Sequence, residues 1–249
     1  MFVCIQKKFV FFLTVLTTLS GCTHISAYTT RKSIENSRDA FVKIVIDIEY
    51  SGFSCGPDLD PSSCIDLGII HSESTTGSGF GVKQTSVGSI IMTAGHVCDS
   101  MKSYGVIDSE DLIKVSSSLY VLDVSGNRHR GIVVKSDEDR DMCTVLVPDS
   151  SINILPISTR DPLVGEELYN ISAPYGIFTR ENAMIFSGYL TGTFPNGWYG
   201  YTIPAGPGSS GSPVINRNGE VVGMIDAVMV NMENISLGPT REDIIDFLK

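Results

Sequence analysis

The sequence predicts an all-β protein, two antiparallel β-barrels followed by a single C-terminal helix. Three observations carry this. Short apolar segments rich in Val, Ile, Phe and Tyr recur along the 249 residues, separated by Gly-, Pro-, Asn- and Asp-containing turns. They fall into two series, divided by "PDSSINILPISTRDP" (148–162), whose composition is that of a linker. Helical periodicity appears only in the tail, "PTREDIIDFLK".

The N-terminus reads as a targeting segment. "MFVCIQKK" carries two lysines and no acid, and the apolar run "FVFFLTVLTTLSG" is too short to span a membrane comfortably, so residues 1–21 are expected to be a signal peptide. "LSGC" (19–22) resembles a bacterial lipobox, which makes Cys22 the lipidated first residue of the mature chain and places it in the envelope or periplasm. Ordinary cleavage after Ala27 and soluble secretion is the alternative. Loss of Lys7 and Lys8 with the signal takes the net charge from -10 to -12. A polar tether is expected over 22–37.

"AFVKIVIDIEY" (40–50) alternates apolar and polar residues in part, as a half-buried strand does. "GSGFGV", "SIIMTAGHV", "SLYVLDV", "RGIVVKS" and "MCTVLV" continue the first barrel, about 38–150. "EELYNIS", "MIFSGYL", "GWYGYTI" and "SPVINRNGEVVGMIDAVMV" build the second, about 160–238, with "RNGE" (217–220) as a hairpin turn of the Asn-Gly kind. Thr240 is an N-cap with Asp243 three positions on, and Ile244, Ile245 and Leu248 share one face of a helix over 240–249.

Composition narrows function. Apolar content of 42% with 18% charged residues is that of a globular chain. A net charge of -10 argues against nucleic-acid partners, which demand a basic face. The sequence holds no phosphate-binding glycine loop, no HExxH and no CxxC, so neither metal nor organic cofactor is expected. Export places the cysteines in a disulfide-permissive compartment. Cys55 and Cys64 bracket "CGPDLDPSSC", a loop whose ends would naturally meet, and are expected to pair. Cys98 and Cys143 lie in apolar stretches and are read as small, unpaired buried side chains.

Three short segments carry chemistry when taken together. "TAGHV" (93–97) sets His96 after an apolar strand, "DEDRDMCTVLV" (137–147) sets Asp141 directly before one, and "GPGSSGSPV" (206–214) crowds glycines around two serines. Alone, each has a plain reading: an incidental histidine, a solvated strand-start acid, a surface turn. Together they are the groups that serine nucleophilic catalysis requires. A hydroxyl is a weak nucleophile until an imidazole takes its proton. A carboxylate on the other ring nitrogen fixes the tautomer and stabilises the imidazolium. A Gly-rich turn aims backbone amides at the oxyanion, because glycine adopts unusual angles cheaply and leaves room for substrate.

The order His, Asp, Ser, with "GSGFGV…IIMTAGHV", "RDMCTVLV" and "GPGSSGSPVINRNGEVVGMI", resembles the trypsin-like (chymotrypsin-fold) serine proteases, and within them the bacterial HtrA/Deg-type branch. "SRDAFVKIVI" is similar to that branch's opening strand, "ISAPYGIFTRENAMIFSGYL" to its P-x-G segment and next strand, and "ISLGPTREDIIDFL" to its closing strand and helix. The likeness covers most of a protease domain over 38–249. It implies two six-stranded barrels and a serine endopeptidase acting on protein or peptide substrates. His96 would be the base, Asp141 the orienting acid and Ser210 the nucleophile, with the amides of Gly208 and Ser210 as oxyanion hole. Ser210 is preferred to Ser209 by its place in G-x-S-G, and Asp141 to Asp137 and Asp139 because it directly precedes the strand.

The resemblance also implies a substrate pocket walled by "YTIPAG" (Ile203, Pro204, Ala205) and by the residues after "GMI", Asp226 and Ala227. It would suit small to medium apolar side chains. Three features depart from the family. Ser212 stands where glycine is more usual. No PDZ module is expected after the helix. Asp226 falls near a position that usually carries a small hydroxyl residue beside the catalytic acid; it either repels Asp141 or faces solvent through a one-residue slip. The competing functional class is a decayed protease-fold module that binds peptide or serves a structural envelope role.

Overall fold

The computed structural model describes residues 27–54, 65–99, 111–179, 183–229 and 232–249. The strands form two antiparallel sheets. In the first, β1 (Phe41–Ser54), β2 (Ile65–Thr85), β3 (Gly88–Ala94), β4 (Asp111–Leu122), β5 (Arg128–Arg130), β6 (Ile132–Asp137) and β7 (Met142–Pro148) take the order β5-β4-β1-β2-β3-β7-β6. In the second, β8 (Glu167–Ser172), β9 (Met184–Thr193), β10 (Tyr199–Tyr201), β11 (Ser212–Ile215), β12 (Val221–Ile225), β13 (Ala227–Met229) and β14 (Met232–Gly238) take the order β12-β11-β8-β9-β10-β14-β13. Each sheet has seven strands rather than six, because the three-residue strands β5 and β13 add to its ends. Between β5 and β6 the chain passes close over the core at Gly131, where a Cβ would lie 2.3 Å from Leu119 Cδ2 and 2.7 Å from Val145 Cγ1, so a larger residue would push these side chains aside.

Alternation of side chains supplies each barrel with its own interior. Val42, Ile44, Ile46, Ile91, Leu119, Val121, Val145 and Val147 fill the first. Leu168, Leu190, Tyr201, Ile203, Val214, Val222 and Ile225 fill the second. A third apolar cluster lies between them, where Phe41, Phe80, Met92 and Met142 meet Ile171, Ile215, Met224, Ile244 and Phe247. The terminal helix (Arg241–Phe247) seals this seam. Thr240 caps it with the reciprocal bonds expected, its hydroxyl accepting from the Asp243 amide while the Asp243 carboxylate accepts from the Thr240 amide. The 217–220 turn joins β11 to β12, with Gly219 at φ 79° and the Asn216 amide bonded to the Glu220 carbonyl at 2.9 Å.

Two connections are more structured than their composition indicates. Residues 27–37, within the expected tether, form helix α1, and Ile34 is buried in the seam cluster. One apolar anchor on an otherwise polar helix gives too faint a period to read. The 148–162 linker is pinned across both barrels: the Leu155 amide bonds Gly81 O at 3.0 Å, and Val221 N bonds Pro156 O at 2.8 Å. Ile152 and Leu155 are buried along it.

The cysteines require a correction. Cys98 and Cys143 are buried as expected, but they are joined in a disulfide. Strand β7 and the turn after β3 bring them together across 45 residues of sequence, which no local pattern reveals. Cys55 and Cys64, like Cys22, lie outside the described residues.

Candidate active site

His96 sits on a one-turn helix, α2 (Gly95–Asp99), that follows β3, rather than at the end of the strand itself. β3 pairs with β7, Ala94 opposite Met142, so the residue after Ala94 and the residue before Met142 meet at the same end of the sheet. Asp141 turns back there with φ 54°, a left-handed conformation that Asp tolerates better than most side chains. Its Oδ2 lies 2.8 Å from His96 Nδ1 and its Oδ1 3.1 Å, while Oδ1 also accepts from the His96 amide at 2.7 Å. Gly95 suits this turn, since a Cβ there would lie a tight 3.0 Å from the Asp141 carbonyl carbon and Oδ1. Burial opposes ionisation of Asp141, but the His96 ring and amide outweigh it and hold the carboxyl below its usual range. The carboxylate therefore stays charged and accepts from Nδ1 of a half-exposed ring, the tautomer in which Nε2 is the basic nitrogen.

Ser210 comes from the second barrel, at the loop before β11. The Ser210 carbonyl accepts from the Ser78 amide at 2.8 Å, which ties the serine to β2 of the first barrel. Gly77 fills the gap beside it: a Cβ there would meet the Val97 side chain at 2.8 Å and the Ser210 carbonyl at 3.4 Å. Val97 is the neighbour of His96, so this contact sets the serine against the histidine turn. The Ser210 hydroxyl donates to the Asp226 main-chain carbonyl at 3.2 Å, a long bond readily exchanged for one to an imidazole. Ser209 is no rival: it is buried, and its hydroxyl oxygen accepts from the Gly206 amide within the loop.

The loop's glycines are set by sterics. Gly208 has φ 90°, and a Cβ there would lie 2.7 Å from the Ala173 carbonyl; Gly211 has φ 86°, and a Cβ would lie 2.3 Å from both Ser78 O and Thr93 Oγ1. Among the described residues the amides of Gly208 and Ser210 have no hydrogen-bond partner, whereas the Ser209 amide bonds Gly206 O and the Gly211 amide bonds Ile225 O. Two unengaged amides beside a serine hydroxyl can receive a developing oxyanion. Ser212 is accommodated without disturbance, its hydroxyl accepting from Asn170 Nδ2 at 2.8 Å.

A histidine–carboxylate pair from one barrel and a glycine-lined serine from the other are the side chains that an acyl-transfer triad requires. Residues 77–224 match the family model of the trypsin-like peptidase domain. The chain belongs to this family. Solved structures agree in fold. The serine endoprotease from Yersinia pestis superposes with a TM-score of 0.61 at 18% identity, over 88% of this chain and 65% of that one, so this trypsin-like peptidase spans under two thirds of the Yersinia protein's length. The Rv3671c protease from M. tuberculosis in its active form gives 0.59 at 17% identity, over 87% of this chain and 82% of that one. Its serine-to-alanine mutant in an inactive form gives 0.60 at 15%, over 87% and 88%. No curated protein sequence matches it significantly.

Within this trypsin-like peptidase the expected pocket residues divide. Ile203 is fully buried in the second barrel's interior, and Pro204 is exposed. Ala205 and Ala227 are half-buried near the surface. Asp226 is buried, and not turned to solvent. A cleft of about 660 Å³ lies elsewhere, under the 27–37 helix between Arg31, Ile34, Glu167 and Arg217.

Sequence reasoning missed Ser78. It is fully buried, its hydroxyl donates to the Gly208 carbonyl at 2.7 Å and accepts from the Ala173 amide at 3.1 Å, and its amide holds Ser210 O. One side chain thus joins both barrels and orients the peptide that follows Gly208. The "TGSGF" segment was visible as a strand, but a serine in a strand has no signature of its own. Ser78→Ala is expected to keep the fold while lowering turnover about 10- to 100-fold, because the oxyanion amides lose their alignment. Unchanged kcat in a folded variant would remove Ser78 from the machinery.

Proposed function

We propose that this protein is a serine endopeptidase that cleaves peptide bonds through an acyl-enzyme intermediate, without metal or organic cofactor. The observation that carries the reading is the His96–Asp141 pair held at 2.8 Å beside a serine loop whose Gly208 and Ser210 amides are unengaged. In this reading Ser210 Oγ attacks the scissile carbonyl as His96 Nε2 takes its proton. The tetrahedral oxygen rests on the two amides. His96 then returns the proton to the leaving amine, and water repeats the sequence on the ester. Strand β13 (Ala227–Met229) ends its sheet and starts one residue past Asp226, so its open edge can take an extended peptide as an added strand leading to Ser210. A fluorophosphonate probe tests this. Labelling that vanishes in Ser210→Ala supports the peptidase; folded mature protein that takes no label would favour a binding module of the same fold.

We further propose export to a bacterial envelope with lipid on Cys22, supported by the charged, apolar and "LSGC" segments in succession. Two or three acyl chains, each buried CH₂ contributing about 0.8 kcal/mol, would hold the protein firmly at a membrane. Cys22→Ser is expected to release it to the soluble fraction. An unmodified mature N-terminus at Tyr28 would sink the anchor and leave plain secretion.

A further inference from the structure

Among the described residues, Asp226 is the one acid that the triad does not use and the fold nonetheless buries beside it. It is 6% exposed, and its carbonyl and carboxyl both meet the Ser210–Gly211 loop. Its carbonyl receives the Ser210 hydroxyl at 3.2 Å, its Oδ1 accepts from the Gly211 amide at 3.3 Å, and its own amide is fixed to Leu237 O of β14 at 3.0 Å. Its Oδ2 is buried and has no hydrogen-bond partner among the described residues.

A buried carboxylate needs donors on both oxygens, and an orphaned anionic oxygen costs several kcal/mol or more. The ionisable groups facing Asp226 do not supply one. Asp141, on the turn before β7, is a carboxylate that repels it; Tyr201, on β10, is buried with its own hydroxyl unpartnered. His96, on α2, is committed through Nδ1 to Asp141. The amide of Gly211 is one weak donor against these. Burial, then the charge of Asp141, both push the Asp226 carboxyl well above the usual carboxylate range.

We propose that Asp226 is a positioning residue that works as a neutral acid, its Oδ2 carrying a proton and donating it as a hydrogen bond toward the Asp141 carboxylate. The pair then holds one charge and one proton. Asp141 keeps its negative charge for His96, and Asp226 does what a hydroxyl side chain would do there, with one difference: it ionises. When it does, two like charges share a low-dielectric site, and the Asp141–His96 geometry and the carbonyl holding Ser210 are both displaced. The protein thus acquires an alkaline limit that a hydroxyl residue would not impose.

The sign for stability follows from linkage. A group whose folded pKa is raised contributes stability that is complete below its unfolded pKa, about 3.9 for Asp, and lost as pH rises through the folded value. Replacing Asp226 by a group that does not ionise should therefore stabilise the protein at neutral and alkaline pH and leave it unchanged in acid.

The test uses Asp226→Ser, Asp226→Asn and Asp226→Ala, and has two arms. In the first, melting temperature is followed against pH in the Ser210→Ala background, which removes self-cleavage. Asp226→Asn and Asp226→Ser are expected to melt several degrees above the parent at pH 8, with the gap closing below about pH 4. Parallel curves for parent and variants would overturn the proposal. In the second, which alone rests on the peptidase reading, the rate of fluorophosphonate labelling is followed against pH. The parent is expected to fall off in alkali where Asp226→Ser does not, and Asp226→Ala, which offers no donor, to label about tenfold more slowly at neutral pH than Asp226→Ser. Identical alkaline profiles in parent and Asp226→Ser would overturn the positioning role. Failure of every form to label, with the first arm as expected, would overturn the peptidase reading and leave the buried neutral acid standing.

Discussion

Ser210→Ala and His96→Ala are each expected to lower peptide hydrolysis on the order of 10⁶-fold, with little further loss when combined. The reason is that the groups act as a unit: without Ser210 there is no ester to form, and without His96 its hydroxyl keeps its proton. Asp141→Asn is expected to cost about 10⁴-fold, since an amide facing Nδ1 favours the tautomer that places the proton on Nε2. The structure sharpens that expectation, because Asp141 Oδ1 also accepts from the His96 backbone at 2.7 Å, so the substitution disturbs both the ring and the turn that carries it. The measurement is kcat/KM on a peptide substrate, with circular dichroism to verify folding. Near-normal turnover in Ser210→Ala would move the nucleophile to Ser209 or dismiss the triad.

Removing the Cys98–Cys143 bridge is expected to lower the melting temperature by about 10 °C. Closing a loop of this separation contributes about 4 kcal/mol in the chain-entropy picture, and each kcal/mol shifts a domain of this size by about 2–4 °C. Position makes the bridge more than a staple. Cys98 lies two residues after His96 and Cys143 two after Asp141, so the bond clamps the histidine turn to the strand that presents its acid. The variant Cys98→Ala/Cys143→Ala is therefore expected to lose activity as well as stability, and more steeply on warming, as the 2.8 Å His96–Asp141 contact loosens. Both sulfurs are buried, so reduction of the intact protein should be slow. A double variant with an unchanged melting temperature and unchanged kcat would show that packing alone holds the turn.

How much was legible divides along physical lines. Strand alternation, turn residues and the Thr240–Asp243 cap are local, and each element they indicate is present, His96 lying one turn beyond its strand. His96, Asp141 and Ser210 were legible as candidates because catalysis by serine would restrict residue types and favour glycines around them; a Cβ at Gly208 or Gly211 would lie 2.7 or 2.3 Å from a backbone oxygen. The helix at 27–37 escaped because a single buried aliphatic side chain, Ile34, gives too faint a period to read, and the 148–162 connection because its order comes from backbone bonds to both barrels.

The sequence by itself determined the two strand series, the capped terminal helix, the candidate residues His96, Asp141 and Ser210 and the acidic character of the chain, because these rest on periodicity, propensity and chemistry carried by near neighbours. Only the tertiary structure decided which cysteines meet, that Ser78 joins the Ser210 loop to the first barrel, and that Asp226 is buried with an oxygen unpartnered among the described residues. Those depend on residues far apart in sequence being brought within a few ångströms by sheet register and barrel packing, and a one-residue slip in register would have turned the same Asp226 to water.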